Sequence, residues 1–174
     1  MMKNEIVITS DSTCDLSEEQ VRTNGIVILP LSVMLGEKTY KDGIDISPTD
    51  IFRYYDETGT LPKTAAPSVS DYEEFFRRFT DEGKTVIHFN ISSKASGSHG
   101  FAAAAAKEIG GDKVFVVDSL ALSTGQGLLV MKACDLRAQG MDAKDIYDTV
   151  MGLRQKVNTS FIPDTLLYLY KGGR

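Results

Sequence analysis

The chain has 174 residues, of which 42 % are hydrophobic and 25 % are charged, a balance typical of a single globular domain. The formal net charge of −5 argues against a nucleic-acid partner and against an anionic membrane surface, because both require clustered basic side chains. No apolar run reaches the roughly 18 residues of a membrane span, and residues 1–10 lack the features of a signal peptide, so we expect a cytoplasmic protein without a membrane span.

Strand-like and helix-like segments alternate along the chain. The predicted strands are apolar or β-branched runs between turn residues, at 5–9, 26–35 (interrupted by Pro30), 39–40, 85–91, 114–117 and 160–162. The predicted helices follow capping residues, at 17–24, 48–57, 70–80 (capped by Ser70), 98–109, 123–138, 143–157 and 164–172 (capped by Asp164). This alternation predicts an α/β fold, a parallel sheet flanked by helices on both faces. Ligands of such sheets bind at the carboxyl ends of the strands.

The loop at residues 92–98 has the most suggestive chemistry. It holds four serines and a glycine where a predicted strand leads into a helix. Hydroxyl groups, free backbone N–H groups and the positive end of a helix dipole together favour a carboxylate or phosphate ligand. The alternative is that these serines only cap the helix and form turns. One cap would explain Ser98 but not all four serines, so ligand contact is the favoured interpretation.

Asp11 follows the first predicted strand and has two interpretations. A strand followed by aspartate is found in phosphotransfer enzymes, but these have a second carboxylate two residues later, where this chain has Thr13. The favoured interpretation is that Asp11 accepts hydrogen bonds from turn amides and supports the site. His88 is interpreted as a core residue, and His99 as facing either solvent or the ligand. No known nucleotide-binding or nucleophile motif is present.

No cluster of His, Cys, Asp and Glu has metal-ligand spacing. Cys14 and Cys134 are too isolated to predict a disulfide or a zinc site. The residues therefore predict neither a metal nor a cofactor.

Six phrases, in order along nearly the whole chain, resemble the DegV family. They are ITSDSTCDL at 8–16, LPLSV at 29–33, KT with PS at 63–68, ISS with SGS at 91–98, VDS at 117–119, and DTL through GGR at 164–174. The resemblance implies a bacterial protein that holds one fatty acid in an apolar tunnel. It also implies a non-catalytic role, as the binding subunit that presents the carboxylate to a separate fatty acid kinase subunit.

The resemblance also implies site residues. The carboxylate contacts fall on Thr64 and Ser93, with neighbours and supporting residues at Ser92, Ser96, Gly97, Arg174, Asp11, Ser12 and Asp118. Part of the tunnel wall is expected to come from Ile91, Ala95, Phe101 and Leu122. The chain departs from the family at residues 65–66, where Ala-Ala replaces a common Ser-Gln, and at Lys94-Ala95, where Gly-Leu is more usual.

Family members usually continue past the Gly-Gly-Arg phrase into a second domain. We therefore interpret residues 1–174 as the N-terminal lipid-binding domain, without the C-terminal domain of the family. Such a domain is expected to expose an apolar face through which a homodimer could form. Two other functions stay open: a phosphotransfer enzyme that uses Asp11, and a dimerising remnant that binds no ligand.

Overall fold

A computed structural model describes residues 5–172. Its strands are β1 (Ile6–Asp11), β2 (Val27–Leu29), β3 (Ser32–Leu35), β4 (Lys38–Lys41), β5 (Lys63–Ala65), β6 (Thr85–Asn90) and β7 (Val114–Asp118). Its helices are α1 (Glu18–Thr23), α2 (Pro48–Thr58), α3 (Val69–Thr80), α4 (Ser98–Ile109), α5 (Ser123–Ala138), α6 (Ala143–Leu153) and α7 (Leu167–Lys171). Two short 3-10 turns lie at Ser12–Cys14 and Arg154–Lys156. None of the helices between residues 5 and 172 is long and apolar enough to cross a bilayer.

The contacts within the chain separate it into two compact units. Unit 1 comprises residues 5–29 and 66–159, and unit 2 comprises residues 30–65 and 160–172. Unit 1 contains a parallel four-stranded sheet in the order β2-β1-β6-β7. Unit 2 contains a three-stranded antiparallel sheet in the order β4-β3-β5.

The sheet of unit 1 is covered on both faces, as the sequence predicts. Every residue of β6 is buried, which agrees with its continuous apolar run. On one face Ile87, Phe89 and Val117 pack with residues of α5 and α6. On the other face Val86 and Val114 pack with Tyr72 and Phe76 of α3 and with the buried alanines of α4. The parallel α/β fold class is therefore confirmed.

Several predicted element boundaries are wrong. Residues 63–65 form β5 instead of a loop, because Thr64 pairs with Val33 of β3. Ser68, and not Ser70, caps α3: its hydroxyl accepts the amide of Asp71, whose carboxylate in turn accepts the Ser68 amide. The predicted strand at residues 160–162 is irregular, and the last helix begins at Leu167, beyond Asp164.

Two further corrections concern the helices of unit 1. The α-helix that begins at residue 143 ends at Leu153, and its last predicted turn tightens into the 3-10 turn Arg154–Lys156. The cap position of α4 is Gly97 rather than Ser98. Ser98 is the first helical residue, and the hydroxyl of Ser96 accepts its amide at 3.2 Å.

Candidate functional site

The order of the strands places a crevice beside β1. The chain proceeds from β1 to β2 on one side, and β6 and β7 lie on the other side, so the strand order reverses between β1 and β6. Ligands of parallel sheets bind at such a switch point, beyond the carboxyl ends of the strands. The loop that follows β6 is the serine-rich loop at residues 92–98, so this loop lies at the edge of the sheet where a ligand is expected.

Asp11 is the last residue of β1, lies at this switch point and is fully buried. Its Oδ2 accepts the amide of Ile91 at 2.9 Å, and its Oδ1 accepts the side-chain amide of Gln126 at 2.7 Å. The Thr13 hydroxyl lies 2.7 Å from the same Oδ1. These bonds tie the loop after β1 to the loop after β6. A carboxylate so enclosed and so fully bonded is unsuited to attack a phosphate, so the geometry favours the supporting role for Asp11 over the phosphotransfer alternative.

Gln126 is a residue of this network that the sequence did not single out. It is fully buried in α5 and donates to Ser10 as well as to Asp11. The flanking glycines allow this approach, because a side chain at Gly127 would lie 2.7 Å from the backbone oxygen of Cys14. The Gly-Gln-Gly fragment at 125–127 is therefore a helix-packing site. The sequence signal for Gln126 is its position between two such glycines.

The serine hydroxyls of the loop already have partners within the protein. Ser92 accepts the amide of Lys94 at 3.2 Å. Ser96 and Ser98 pair with each other at 2.8 Å, and Ser93 donates to Asp118 at 2.6 Å. Capping and turn formation therefore explain more of this serine-rich sequence than expected. Of the four serines, only Ser93 has an exposed side chain.

Asp118 stands at the end of β7 and organises two loops. Its Oδ1 accepts the amides of Ser93 at 3.0 Å and of Leu120 at 3.2 Å, while its Oδ2 accepts the Ser93 hydroxyl. Burial pushes the pKa of Asp118 upward, but the hydrogen bonds from Ser93 and Leu120 outweigh it, so the pKa lies below its ordinary value. Asp118 is thus a charged acceptor directly behind Ser93.

The loop after β7 is strained and apolar. Leu120 and Ser123 both have a backbone φ of 53°. Residues other than glycine seldom adopt this left-handed conformation. The Asp118 carboxylate stabilises this conformation by accepting the Leu120 amide. Leu120 and Leu122 remain more than a third exposed, so an apolar surface adjoins the polar group at Ser93.

Backbone amides supply the free donors of the loop. Within residues 5–172, no acceptor is found for the amides of Gly97, His99 and Gly100 at the start of α4. These N–H groups and the dipole of a 12-residue helix favour an anion. Across the same residues, no group of three His, Cys, Asp or Glu side chains is arranged to hold a metal ion.

His99 and Arg154 line a cavity together with Asp118. Arg154 donates to the backbone oxygen of Asp118 at 3.0 Å. Burial is the largest cause that lowers the pKa of His99, with the positive Arg154 adding to it and Asp118 opposing it. Because its pKa lies below the ordinary value, His99 is mainly neutral at pH 7.

His88 is a core residue, as predicted. Its ring is fully buried, and its two nitrogens lie 2.8 Å from the Thr9 hydroxyl and 3.2 Å from the Asn90 side-chain nitrogen. Burial lowers the pKa of His88 to about 3, with His99 adding a small contribution. His88 therefore belongs to the interior of unit 1 and does not face the loop.

The predicted site residues fall in both units. Ser92, Ser93, Ser96, Gly97, Asp11 and Asp118 belong to unit 1, as does Ser12, the first residue of a 3-10 turn. Thr64 belongs to unit 2, where it is exposed on β5 and lines a cavity of about 600 Å³ together with Met34, Tyr168 and Lys171. Arg174 lies outside the described residues.

Comparisons with known proteins identify the family of the chain. A family model described as "Uncharacterised protein, DegV family" matches residues 5–174. This chain belongs to the DegV family. The resemblance of the six sequence phrases is thereby confirmed. A DegV domain-containing protein of Clostridium perfringens is 32 % identical over 171 residues, which are 98 % of this chain and 61 % of that protein.

Solved structures of DegV proteins share the fold. A fatty-acid-binding DegV family protein from Thermus thermophilus is 34 % identical, with a TM-score of 0.87 over 98 % of this chain and 60 % of that chain. DegV of Bacillus subtilis, described as a fatty acid binding protein, is 26 % identical, with a TM-score of 0.87 over 99 % of this chain and 61 % of its own. The present chain spans about three fifths of the length of the curated relatives it matches.

Proposed function

We propose that this chain binds a long-chain fatty acid, with Thr64 and the loop at residues 92–98 contacting the carboxylate. The observation that carries the proposal is the match to the Thermus thermophilus protein, a fatty-acid-binding relative that shares the fold over 98 % of this chain. The assignment of individual residues rests on the geometry of each unit.

Unit 1 supports the proposal by combining donors with an apolar surface. The exposed Ser93 lies in the same loop as the unpaired amide of Gly97, and the exposed side chains of Leu120 and Leu122 follow the Asp118 that binds Ser93. Phe101, predicted to line the acyl tunnel, is 44 % exposed on α4. An amphiphile with an acidic head group suits such a surface, because its chain covers apolar side chains while its head group accepts hydrogen bonds.

Unit 2 supports the proposal through the cavity at Thr64. Its lining combines the Thr64 hydroxyl and two lysines, Lys63 and Lys171, with the apolar side chains of Met34 and Leu61. Lysine ammonium groups and a hydroxyl favour a carboxylate, and the apolar side chains favour an acyl chain.

Two substitutions test the residue assignment. Ser93→Ala and Thr64→Val should each weaken fatty-acid binding by about 1–3 kcal/mol, the cost of a lost hydrogen bond to a charged group. Native mass spectrometry detects the bound acid, and a titration with hexadecanoic acid gives the dissociation constant. Ser70→Ala and Thr39→Val are matched controls, since both side chains are exposed and neither lies at the proposed site. If the two test variants bind as tightly as the parent, the carboxylate assignment is wrong.

The proposal includes two protein partners. We expect a separate kinase subunit to phosphorylate the presented carboxylate, as the resemblance to the DegV family implies. Acyl phosphate formation in a mixture with ATP and the kinase measures this step. We also expect self-association through the exposed apolar residues of unit 2, where Phe161, Ile162 and Tyr170 are between 65 % and 98 % exposed. Sedimentation velocity measures the assembly.

A further inference from the structure

The strand β7 is an edge of the parallel sheet in unit 1, and its hydrogen bonds to β6 are fixed at both ends. Before β7 begins, the Val86 amide donates to the Lys113 oxygen at 2.9 Å, and after it ends, the Ser119 amide donates to the Asn90 oxygen at 3.2 Å. The backbone groups of successive residues in a strand point to opposite sides. Every second residue from 113 to 119 therefore faces β6.

The residues between them, Val114, Val116 and Asp118, direct their backbone groups away from the sheet. The Asp118 oxygen accepts the Arg154 guanidinium at 3.0 Å. Within residues 5–172, β6 is the only strand paired with β7, and the peptide groups of Val114 and Val116 that point outward have no hydrogen-bond partner. Part of the edge is therefore free to bind another strand.

These peptide groups lie along a groove of about 560 Å³ that α4 and α6 line on its two sides. The side chains from α4 include the small Ala103 and Ala106, and those from α6 include Tyr147 and Met151. The alanines leave room for a further strand, and the larger side chains offer an apolar surface to it. Such an edge is a site where an extended segment can add to a sheet.

The basic side chains beside β7 restrict which strand can pair with it. Lys107, in the last turn of α4, lines the groove near the start of β7, and Arg154 lies at its end. Charged side chains at a strand edge prevent unspecific pairing. A partner strand therefore has to bring acidic side chains to both positions.

A second copy of β7 satisfies the free peptide groups by symmetry. When two β7 strands run antiparallel about a two-fold axis at Phe115, Val114 lies opposite the partner's Val116, and Val116 opposite the partner's Val114. All these residues point outward, so each pair can exchange two hydrogen bonds. An isologous contact of this kind closes as a dimer.

The same arrangement brings acidic side chains to the basic positions. Asp112 is exposed in the turn before β7. It lies opposite the partner's Asp118, and therefore beside the partner's Arg154. By symmetry Asp118 comes near the partner's Lys107. Opposite charges meet at each end of the contact, which favours a second copy over an unrelated strand.

We infer that this chain forms a symmetric dimer through antiparallel pairing of β7, which joins two four-stranded sheets into one continuous sheet. This surface belongs to unit 1 and is different from the exposed apolar residues of unit 2. The pairing requires no ligand, so the inference is independent of the proposed function.

An exchange of charges tests the contact in the full chain. Asp112→Arg places two arginines together at each end, and Arg154→Asp places two aspartates there. Each variant alone should dimerise at least about tenfold more weakly than the parent, because like charges meet. An equimolar mixture should assemble nearly as tightly as the parent, since opposite charges again meet at both ends. Sedimentation equilibrium gives the dissociation constants, and Asp135→Arg, at an exposed position of α5, is the matched control.

Hydrogen exchange followed by NMR locates the contact in the parent itself. The amides of Val114 and Val116 should exchange more slowly as the protein concentration rises and dimers form. A parent that is monomeric at every concentration, single variants that assemble as the parent does, or a mixture that fails to recover assembly overturns the inference. If the variants do not fold, exchange at Val114 and Val116 that is independent of concentration overturns it as well. Fatty-acid binding by the parent, measured separately, decides the proposed function.

Discussion

Asp11→Ala should strongly destabilise unit 1. Asp11 is fully buried, and its removal takes away the acceptor of the Ile91 amide at 2.9 Å and of the Gln126 amide at 2.7 Å. Gln126 then keeps the Ser10 hydroxyl at 3.0 Å, but its second hydrogen has only the Phe89 oxygen at 3.5 Å, which is the limit of a hydrogen bond. The other groups at Asp11 keep partners, since Thr13 can turn to Gln126 Oε1 at 2.9 Å and Asn90 retains the Tyr72 hydroxyl at 3.0 Å. Each unsatisfied buried donor costs about 1–3 kcal/mol, so we expect a loss of about 4 kcal/mol.

A loss of this size is a large part of the 5–15 kcal/mol that typically separates folded from unfolded domains. It corresponds to a fall of about 8–16 °C in the melting temperature of a chain of this length. The chain contains no tryptophan, so unfolding in guanidinium chloride is best followed by far-UV circular dichroism. Asp135→Ala, at an exposed helical position, serves as the control. A change below about 1 kcal/mol for Asp11→Ala would refute the view that this carboxylate holds the loops together.

Two further predictions concern stability. The pKa of His88 is lowered to about 3, so on acidification the unfolded chain gains a proton at this residue before the folded chain does. The contribution of His88 to the free energy of unfolding is complete above pH 6.5 and falls by about 2 kcal/mol between pH 7 and pH 5. Denaturant titrations of the parent and of His88→Gln at both pH values measure this contribution as the difference between the two proteins. Ser68→Ala should cost about 1 kcal/mol through loss of the α3 cap, whereas Ser70→Ala should be nearly neutral. Equal effects of the two serine substitutions in thermal melts would contradict the assignment of the cap.

The elements predicted well are those with local signals. The helix α4 has the predicted bounds, and α2 differs by one residue, because capping residues and glycines mark where these helices begin and end. The strands β1, β6 and β7 were found because each contains a continuous apolar run. By contrast, β5 is three exposed residues long, and only its pairing with β3, about 30 positions earlier, makes it a strand. No local pattern could have indicated it.

In the candidate site, too, the features with local sequence signals are predictable and the long-range contacts are not. The position of the serine-rich loop after a buried strand, and the supporting role of Asp11, follow from local sequence and general rules of parallel sheets. The Ser93–Asp118 bond joins the loop after β6 to the end of β7, across 25 positions of the chain. The sequence therefore contains both residues without indicating that one binds the other. The participation of Gln126 was also missed, since its contact with Asp11 spans 115 positions.

The pairing of β1 with β6 has a consequence for how the protein is made. Ile6 and Thr85 are partners, and residues 30–65, which belong to unit 2, are synthesised between them. At a translation rate of about 5–20 residues per second, β6 is therefore synthesised roughly 4–16 s after β1. During this interval an apolar strand is available to other chains. Chaperone binding to nascent chains that end before residue 85 is thus to be expected, and it should decline once β6 has emerged from the ribosome.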